Sequence, residues 1–196
     1  RASAKSKGFS LIRTRLRRDL VNARGFSLIE LLVVLAIIGI LVTLGVGGFV
    51  SSQRRSRDVE RKSDLKHVAE ALELLYSDHR QYPDESGPNG KIGACPYVPL
   101  GIGTRCDWGQ DELTDDETTY MRTVPADPSD ERYYRYEVSS DNQSFQLFAR
   151  LENDKDPDCI GGDCLNPPVS HQCGSNPADE CNFAITSPNV SPLDSL

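Results

Sequence analysis

Proline is missing from the long first part of this chain: none occurs between Arg1 and Pro83. Nothing in that stretch therefore forces a helix to break. Charge is missing from a shorter run inside it. Residues 31–50, LLVVLAIIGILVTLGVGGFV, hold no Asp, Glu, Lys or Arg. Beyond residue 25 the chain also has little net positive charge. Its total is −7, and residues 1–25 carry eight Lys/Arg against one acid, a local +7, which leaves −14 for the remainder. Nucleic-acid binding needs clustered cations, so an acidic exterior excludes a protein that grips nucleic acid along its whole surface. The usual catalytic patterns are missing too. The sequence offers no Ser/His/Asp set in strand–turn–helix context, no glycine-rich phosphate loop and no paired-His motif, so we read a non-enzyme.

What is present begins with the apolar run itself. At about 1.5 Å per helical residue, twenty residues span the hydrocarbon core of a bilayer. One carboxylate, Glu30, stands at its entrance. A charge at mid-membrane costs about 2.5–3.5 kcal/mol on insertion scales, so a retained one calls for a partner. A cut before Phe26 would create that partner, a free amine one helical turn from Glu30. The basic leader, residues 1–25, is expected in the cytoplasm, and the residues after Val50 on the exported side.

The residues Arg24-Gly25-Phe26-Ser27-Leu28-Ile29-Glu30, followed at once by the apolar run, resemble the class III signal of type IV pilins and type II secretion pseudopilins. The resemblance is strong from Arg24 to about Tyr82 and looser beyond. It implies that a prepilin peptidase cuts after Gly25, that Phe26 becomes the N-methylated first residue, and that Glu30 is the fifth residue of the mature chain. A second GFSLI, at residues 8–12, is followed by Arg13, Arg15, Arg17 and Arg18. No membrane span can start there, and we do not read it as a processing site.

Past the apolar run, Val59, Leu65, Val68, Ala69, Leu72, Leu75 and Tyr76 follow the spacing of one apolar helical face. The pattern predicts one helix from residue 26 to about 77 or 78, with Pro83 beyond its end. Its first half, residues 26–50, is apolar all round and belongs in lipid or in the core of an assembly. Its second half, residues 51–82, has one stripe for a sheet to cover. Glycine weakens a helix by about 1 kcal/mol relative to alanine, so Gly45, Gly47 and Gly48 mark the place where it would loosen first. Arg54, Arg55, Arg57, Arg61 and Lys62 read as interfacial anchors, interleaved with Asp58, Glu60 and Asp64 for pairing along the helix. His67 and His79 read as helix-surface residues.

Residues 83–186 are expected to form a globular head, and residues 187–196 a flexible tail. Within the head, residues 83–110 read as an ordered loop. Residues 111–121 suggest a short helix with Thr114 as its N-cap and Asp115, Asp116 and Glu117 in its first turn. Pro125-Ala126-Asp127-Pro128 resembles the family's P-x-D-P turn. Residues 133–138 and 144–151 read as a strand pair joined by residues 139–143, with Phe145, Leu147 and Ala149 on one face. Residues 181–186 suggest a further strand. The fold class is therefore α+β. The resemblance implies the pilin fold, a long N-terminal helix packed on a small antiparallel sheet.

Six cysteines, Cys95, Cys106, Cys159, Cys164, Cys173 and Cys181, fall on the exported side, which points to disulfides in one of fifteen pairings. The sequence-local set 95–106, 159–164 and 173–181 is favoured. Zinc on Cys159, Cys164, His171 and Cys173 is the rival, although no C-x-x-C spacing supports it. Asp154, Asp156, Asp158 and Asp163, beside Asn153, are candidate calcium ligands. Cys159 and Leu165 break the EF-hand pattern, and the rival is a solvated acidic loop. Type II secretion major pseudopilins bind calcium in a C-terminal loop, so the resemblance raises the calcium reading.

Taken together, these features describe a structural subunit of a type IV pilus-like filament. The resemblance implies prepilin peptidase, other pilins, an assembly platform and the membrane as its partners. The localisation implied is single-pass in the inner membrane, then a cell-surface filament. Two alternatives stand beside it: a type II secretion pseudopilin serving protein export, and a membrane-tethered binding module that forms no filament.

Overall fold

The computed structural model describes residues 25–87, 89–99 and 103–196, and within it the side chains of residues 44–47 are left aside. Residues 1–24 of the expected leader, with the second GFSLI, lie outside the described residues. The chain separates into two units, with the boundary between Val46 and Gly47, inside the glycine-rich segment.

One helix, α1, runs Leu28–His79. It starts where the Leu31 amide bonds the Ser27 carbonyl at 3.2 Å. It stops at Arg80, whose φ of 62° turns the chain left-handed while its amide still bonds the Tyr76 carbonyl at 2.7 Å. In the first unit the apolar side chains are exposed, from 42% at Val34 to 82% at Leu28. No single helix among the described residues is long and apolar enough to cross a membrane. The segments Leu28–Thr43 and Gly48–His79 pass that test together, by length and composition.

In the second unit Leu65, Val68, Ala71, Leu72 and Leu75 of α1 are buried. The expected stripe begins differently from its prediction. Val59 is 67% exposed, and the buried positions one and two turns before Leu65 are Arg61 and Asp58. The stripe is 58, 61, 65, 68, 72 and 75, alternating steps of three and four, and its first two members are charged.

The head contributes β1 (Glu85–Ser86) and β2 (Lys91–Ile92), an antiparallel hairpin inside the expected loop. The pair β3 (Leu113–Thr114) and β4 (Thr119–Met121) replaces the predicted short helix. The cause is side-chain competition for the backbone. Asp115 Oδ1 accepts from the amides of Glu117 and Thr118, and Thr114 Oγ1 accepts from Asp116 and donates to the Thr118 carbonyl. The signals of a helix start are spent on a tight turn, with Asp116 at φ 72°.

Strands β5 (Arg135–Val138), β6 (Phe145–Ala149) and β7 (Phe183–Thr186) form the main sheet, antiparallel throughout in the order β5-β6-β7. The register sets Tyr136 opposite Leu147, and Leu147 opposite Ile185. Strand β6 is buried on both faces. Phe145, Leu147 and Ala149 join the core that includes Leu65, Val68, Leu72 and Leu75 of α1 with Tyr134, Tyr136 and Leu151. Phe148 faces a second, smaller core of Ile160, Val169, Cys173 and Cys181. Residues predicted as a tail return to this sheet. Ser187 bonds both the amide and the carbonyl of Phe145, and Gln146 Nε2 donates to the Ser191 and Asp194 carbonyls.

Candidate functional site

Gly25, Phe26 and Ser27 precede the helix and are exposed. Glu30 follows in its first turn, where the helix dipole favours an acid. Glu30 is exposed and has no ion-pair partner among the described residues. These residues therefore leave an unpaired carboxylate at the head of an uncovered apolar helix. Monomers rarely expose contiguous apolar patches beyond a few hundred Å², so this half is built to be covered.

Within the second unit, the head is fixed to the second half of α1 by charge as well as by the core. The Arg61 guanidinium is fully buried. Its Nε and Nη2 form a fork onto Asp127 at 2.8 and 2.9 Å, and Nη1 reaches Asp58 at 2.8 Å and Glu152 at 2.9 Å. Burial opposes its charge, yet the surrounding carboxylates hold its pKa above the usual arginine value. Asp127 belongs to the P-x-D-P turn, so that motif supplies the acceptor for a helix cation 66 residues away. Asp58 in turn accepts from the amides of Glu152 and Asn153, each at 2.8 Å. Arg57 pairs with both oxygens of Glu152. Hydrogen bonding from Arg57, assisted by Arg61 and opposed by burial, lowers the Glu152 pKa to about 2. Arg57, Arg61 and Lys62 are therefore cross-links to the head, not the interfacial anchors that the sequence suggests. Sequence reasoning missed Arg61, Asp127 and Glu152 as one cluster. The available signal was the place of Asp58 and Arg61 on the buried stripe.

The four candidate calcium ligands do not come together. No group of three or more His, Cys, Asp or Glu residues among the described ones is arranged to hold a metal. Asp156 and Asp158 receive Lys62 Nζ at 2.6 and 2.7 Å. Burial works against Asp156 ionising, and the Lys62 bond more than offsets it, so its pKa is lowered. Asp163 turns away to the amides of Leu165 and Asn166. Asp154 is exposed. Calcium requires six to eight oxygens around one point, and here a lysine ammonium lies between two of the carboxylates. The residues do not fit the ion.

The cysteines pair as Cys95–Cys106, Cys159–Cys164 and Cys173–Cys181, the sequence-local set. With their sulfurs bonded, Cys159, Cys164 and Cys173 have no thiolates for zinc, and His171 Nδ1 instead meets Glu137 at 3.1 Å. His67 is exposed, as expected. His79 is half-buried, bonding Asp115 at 2.8 Å and packing against the Tyr97 ring at a tilt.

Comparison with known proteins agrees with this geometry. Residues 20–46 match the family model described as the prokaryotic N-terminal methylation motif. The chain is 43% identical over 73 residues to the type IV major pilin protein PilA of Myxococcus xanthus, covering 37% of this chain and 32% of that protein. It spans about a third of that pilin's length. It is 34% identical over 61 residues to the type IV wide pilus major component PilA4 of Thermus thermophilus, covering 31% of this chain and 47% of that protein. With the type II secretion system core protein G of Pseudomonas aeruginosa it shares 30% identity over 125 residues, 64% of this chain and 80% of that one. No solved structure matches the chain. The methylation motif, the helix that follows it and a match running through most of core protein G place this chain in the type IV pilin and type II secretion pseudopilin family.

Proposed function

We propose that the chain is a structural subunit of a type IV pilus-like filament, made as a membrane-anchored precursor. The observation that carries this reading is the first half of α1, whose apolar side chains are exposed behind Glu30. Lipid covers them before assembly, and neighbouring helices cover them afterwards. Prepilin peptidase cuts after Gly25, Phe26 is methylated, and Glu30 pairs with the new amine of its own or an adjacent subunit, which fixes axial register. The assembly platform then extracts the subunit, and the heads form the outer surface.

Intact-mass and N-terminal analysis of membrane-extracted protein tests the processing step. A chain beginning at methylated Phe26 is expected, and Gly25→Val leaves precursor. An uncut native protein, or a start after Val50, refutes it. Glu30→Val should insert and be cut but should not assemble, because a buried amine left without its partner costs about 3–5 kcal/mol. Normal filament yield from that variant removes Glu30 from the mechanism.

A pseudopilin serving protein export is the second reading, favoured by the extent of the match to core protein G. The contact of Lys62 with Asp156 and Asp158 weighs against it, since a calcium loop is what the major pseudopilins carry. Deletion separates the two: loss of sheared surface filaments supports the pilus, and loss of secreted enzymes with filaments intact supports export.

A further inference from the structure

Two adjoining cavities lie at the base of the head. One, of about 300 Å³, is lined by Val50, Arg54, Arg55 and Lys155 and by the acids Glu152 and Asp154. The other, of about 240 Å³, is lined by Arg54, Arg132, Arg150 and Asp154, with Leu151 and Glu152. Arg54, Arg55, Arg150 and Lys155 have no carboxylate within ion-pair distance among the described residues. Arg150 spends Nη1 on two backbone carbonyls, those of Cys164 and Glu180 at 3.0 and 3.1 Å. Arg132 Nη1 is buried without a hydrogen bond, 3.5 Å from a Glu152 oxygen that Arg57 and Arg61 already hold. Against these cations stands one unpaired acid, Asp154. Glu152 is already held by Arg57 and Arg61, so the cavities are cationic.

Their position names the occupant. Val50 ends the uncharged run and lines the first cavity, and Arg54 comes four residues later. At about 1.5 Å per residue, Arg54 stands about 6 Å beyond the end of the apolar run, at headgroup depth. Guanidinium groups recognise phosphate through paired N–H donors. We propose that these cavities seat the phosphate headgroup of an anionic phospholipid on the exported leaflet. The lipid holds the base of the head at the membrane surface until the subunit is extracted. Burial and the neighbouring Arg132 both lower the pKa of Arg150, a strain that a bound anion relieves.

The proposal rests on the reading that residues 31–50 lie in lipid, and carbonate extraction of membranes tests that reading separately. For the proposal itself, the full chain in neutral detergent is titrated with short-chain phosphatidylglycerol, short-chain phosphatidylcholine and inorganic phosphate, and bound adducts are read by native mass spectrometry. Phosphatidylglycerol should bind at one site. Arg54→Gln, exposed and outside the core, should weaken it about fivefold, the effect of one surface cation on an anionic lipid. Asp154→Asn should strengthen it. Equal binding of the two lipids, or indifference to both substitutions, overturns the proposal. So does inorganic phosphate binding as tightly as phosphatidylglycerol, which would make this a free-anion site. If Arg54→Glu abolishes filament assembly while leaving lipid binding unchanged, the occupant is a carboxylate of a second copy and the lipid assignment fails. An integral protein without lipid selectivity sinks only this proposal; a protein released by carbonate sinks the membrane reading beneath it.

Discussion

Replacing Arg61 with methionine keeps most of the side-chain volume and removes only the guanidinium. The consequence follows from what surrounds it. The Asp127 side chain has no solvent exposure and that of Asp58 is 3% exposed, so neither can regain water when its partner disappears. Breaking a buried pair from one side costs about 3–5 kcal/mol, because a charge is left uncompensated. Asp58 keeps two amide donors from Glu152 and Asn153, and Asp127 keeps the Ser129 amide at 2.8 Å. These bonds soften the loss, and we expect the low half of that range, about 3 kcal/mol. Arg61→Lys should fall between, because an ammonium cannot reproduce the two-pronged bond to Asp127. The double variant Arg61→Met/Asp127→Leu should recover much of the deficit, since replacing a whole buried pair by apolar groups is often neutral. The assay is denaturant unfolding of the full chain in mild detergent, followed by Trp108, the only tryptophan, which packs edge-on against Tyr134 at 5.7 Å. A loss below about 1 kcal/mol for Arg61→Met, or a double variant no better than the single, would show that the charges are not what fixes the head to α1.

Three further outcomes follow from the same contacts. Glu152 has a folded pKa of about 2, below its unfolded value near 4.3, so its contribution is complete above that value and is lost as pH falls towards 2. The melting midpoint should therefore drop between about pH 4.5 and 2, and Glu152→Gln should flatten part of that slope; an unchanged slope contradicts the assignment. Wild-type melting should be indifferent to millimolar calcium, because Lys62 already bonds Asp156 and Asp158. Lys62→Met should lower the melting midpoint, because it leaves Asp156 and Asp158 without their shared cation; a calcium shift in the wild type would refute the tethered-cation reading.

The helix was legible because its signals are local: no proline, a twenty-residue apolar run, and side chains repeating every three or four positions. The β5–β6 pair was legible for the same reason, with turn-forming residues between two apolar segments. The turn at residues 115–118 was misread because Thr114 and Asp115 carry the same side-chain acceptors whether they cap a helix or close a hairpin. Only the absence of an apolar period after Thr114 could have separated the two.

Arg61 was misread for a different reason. Arginine is almost never fully buried unless paired, so a sequence read one residue at a time assigns it to the surface. Its partners lie 66 and 91 residues further on, and no local pattern joins them. The stripe itself did contain the answer. Val59 stands off the line drawn back from Leu75 through Leu72, Val68 and Leu65, whereas Arg61 and Asp58 stand on it. A charged residue at a position that helical geometry buries demands an opposite charge from elsewhere in the chain. The acid in the P-x-D-P turn and Glu152 meet that demand. The same reasoning applies to Lys62 one residue on, where Asp156 and Asp158 converge on the helix cation. An acidic loop thus had two physical solutions, a free metal ion or a lysine supplied by the helix, and the choice between them depended on the helix face that the loop meets.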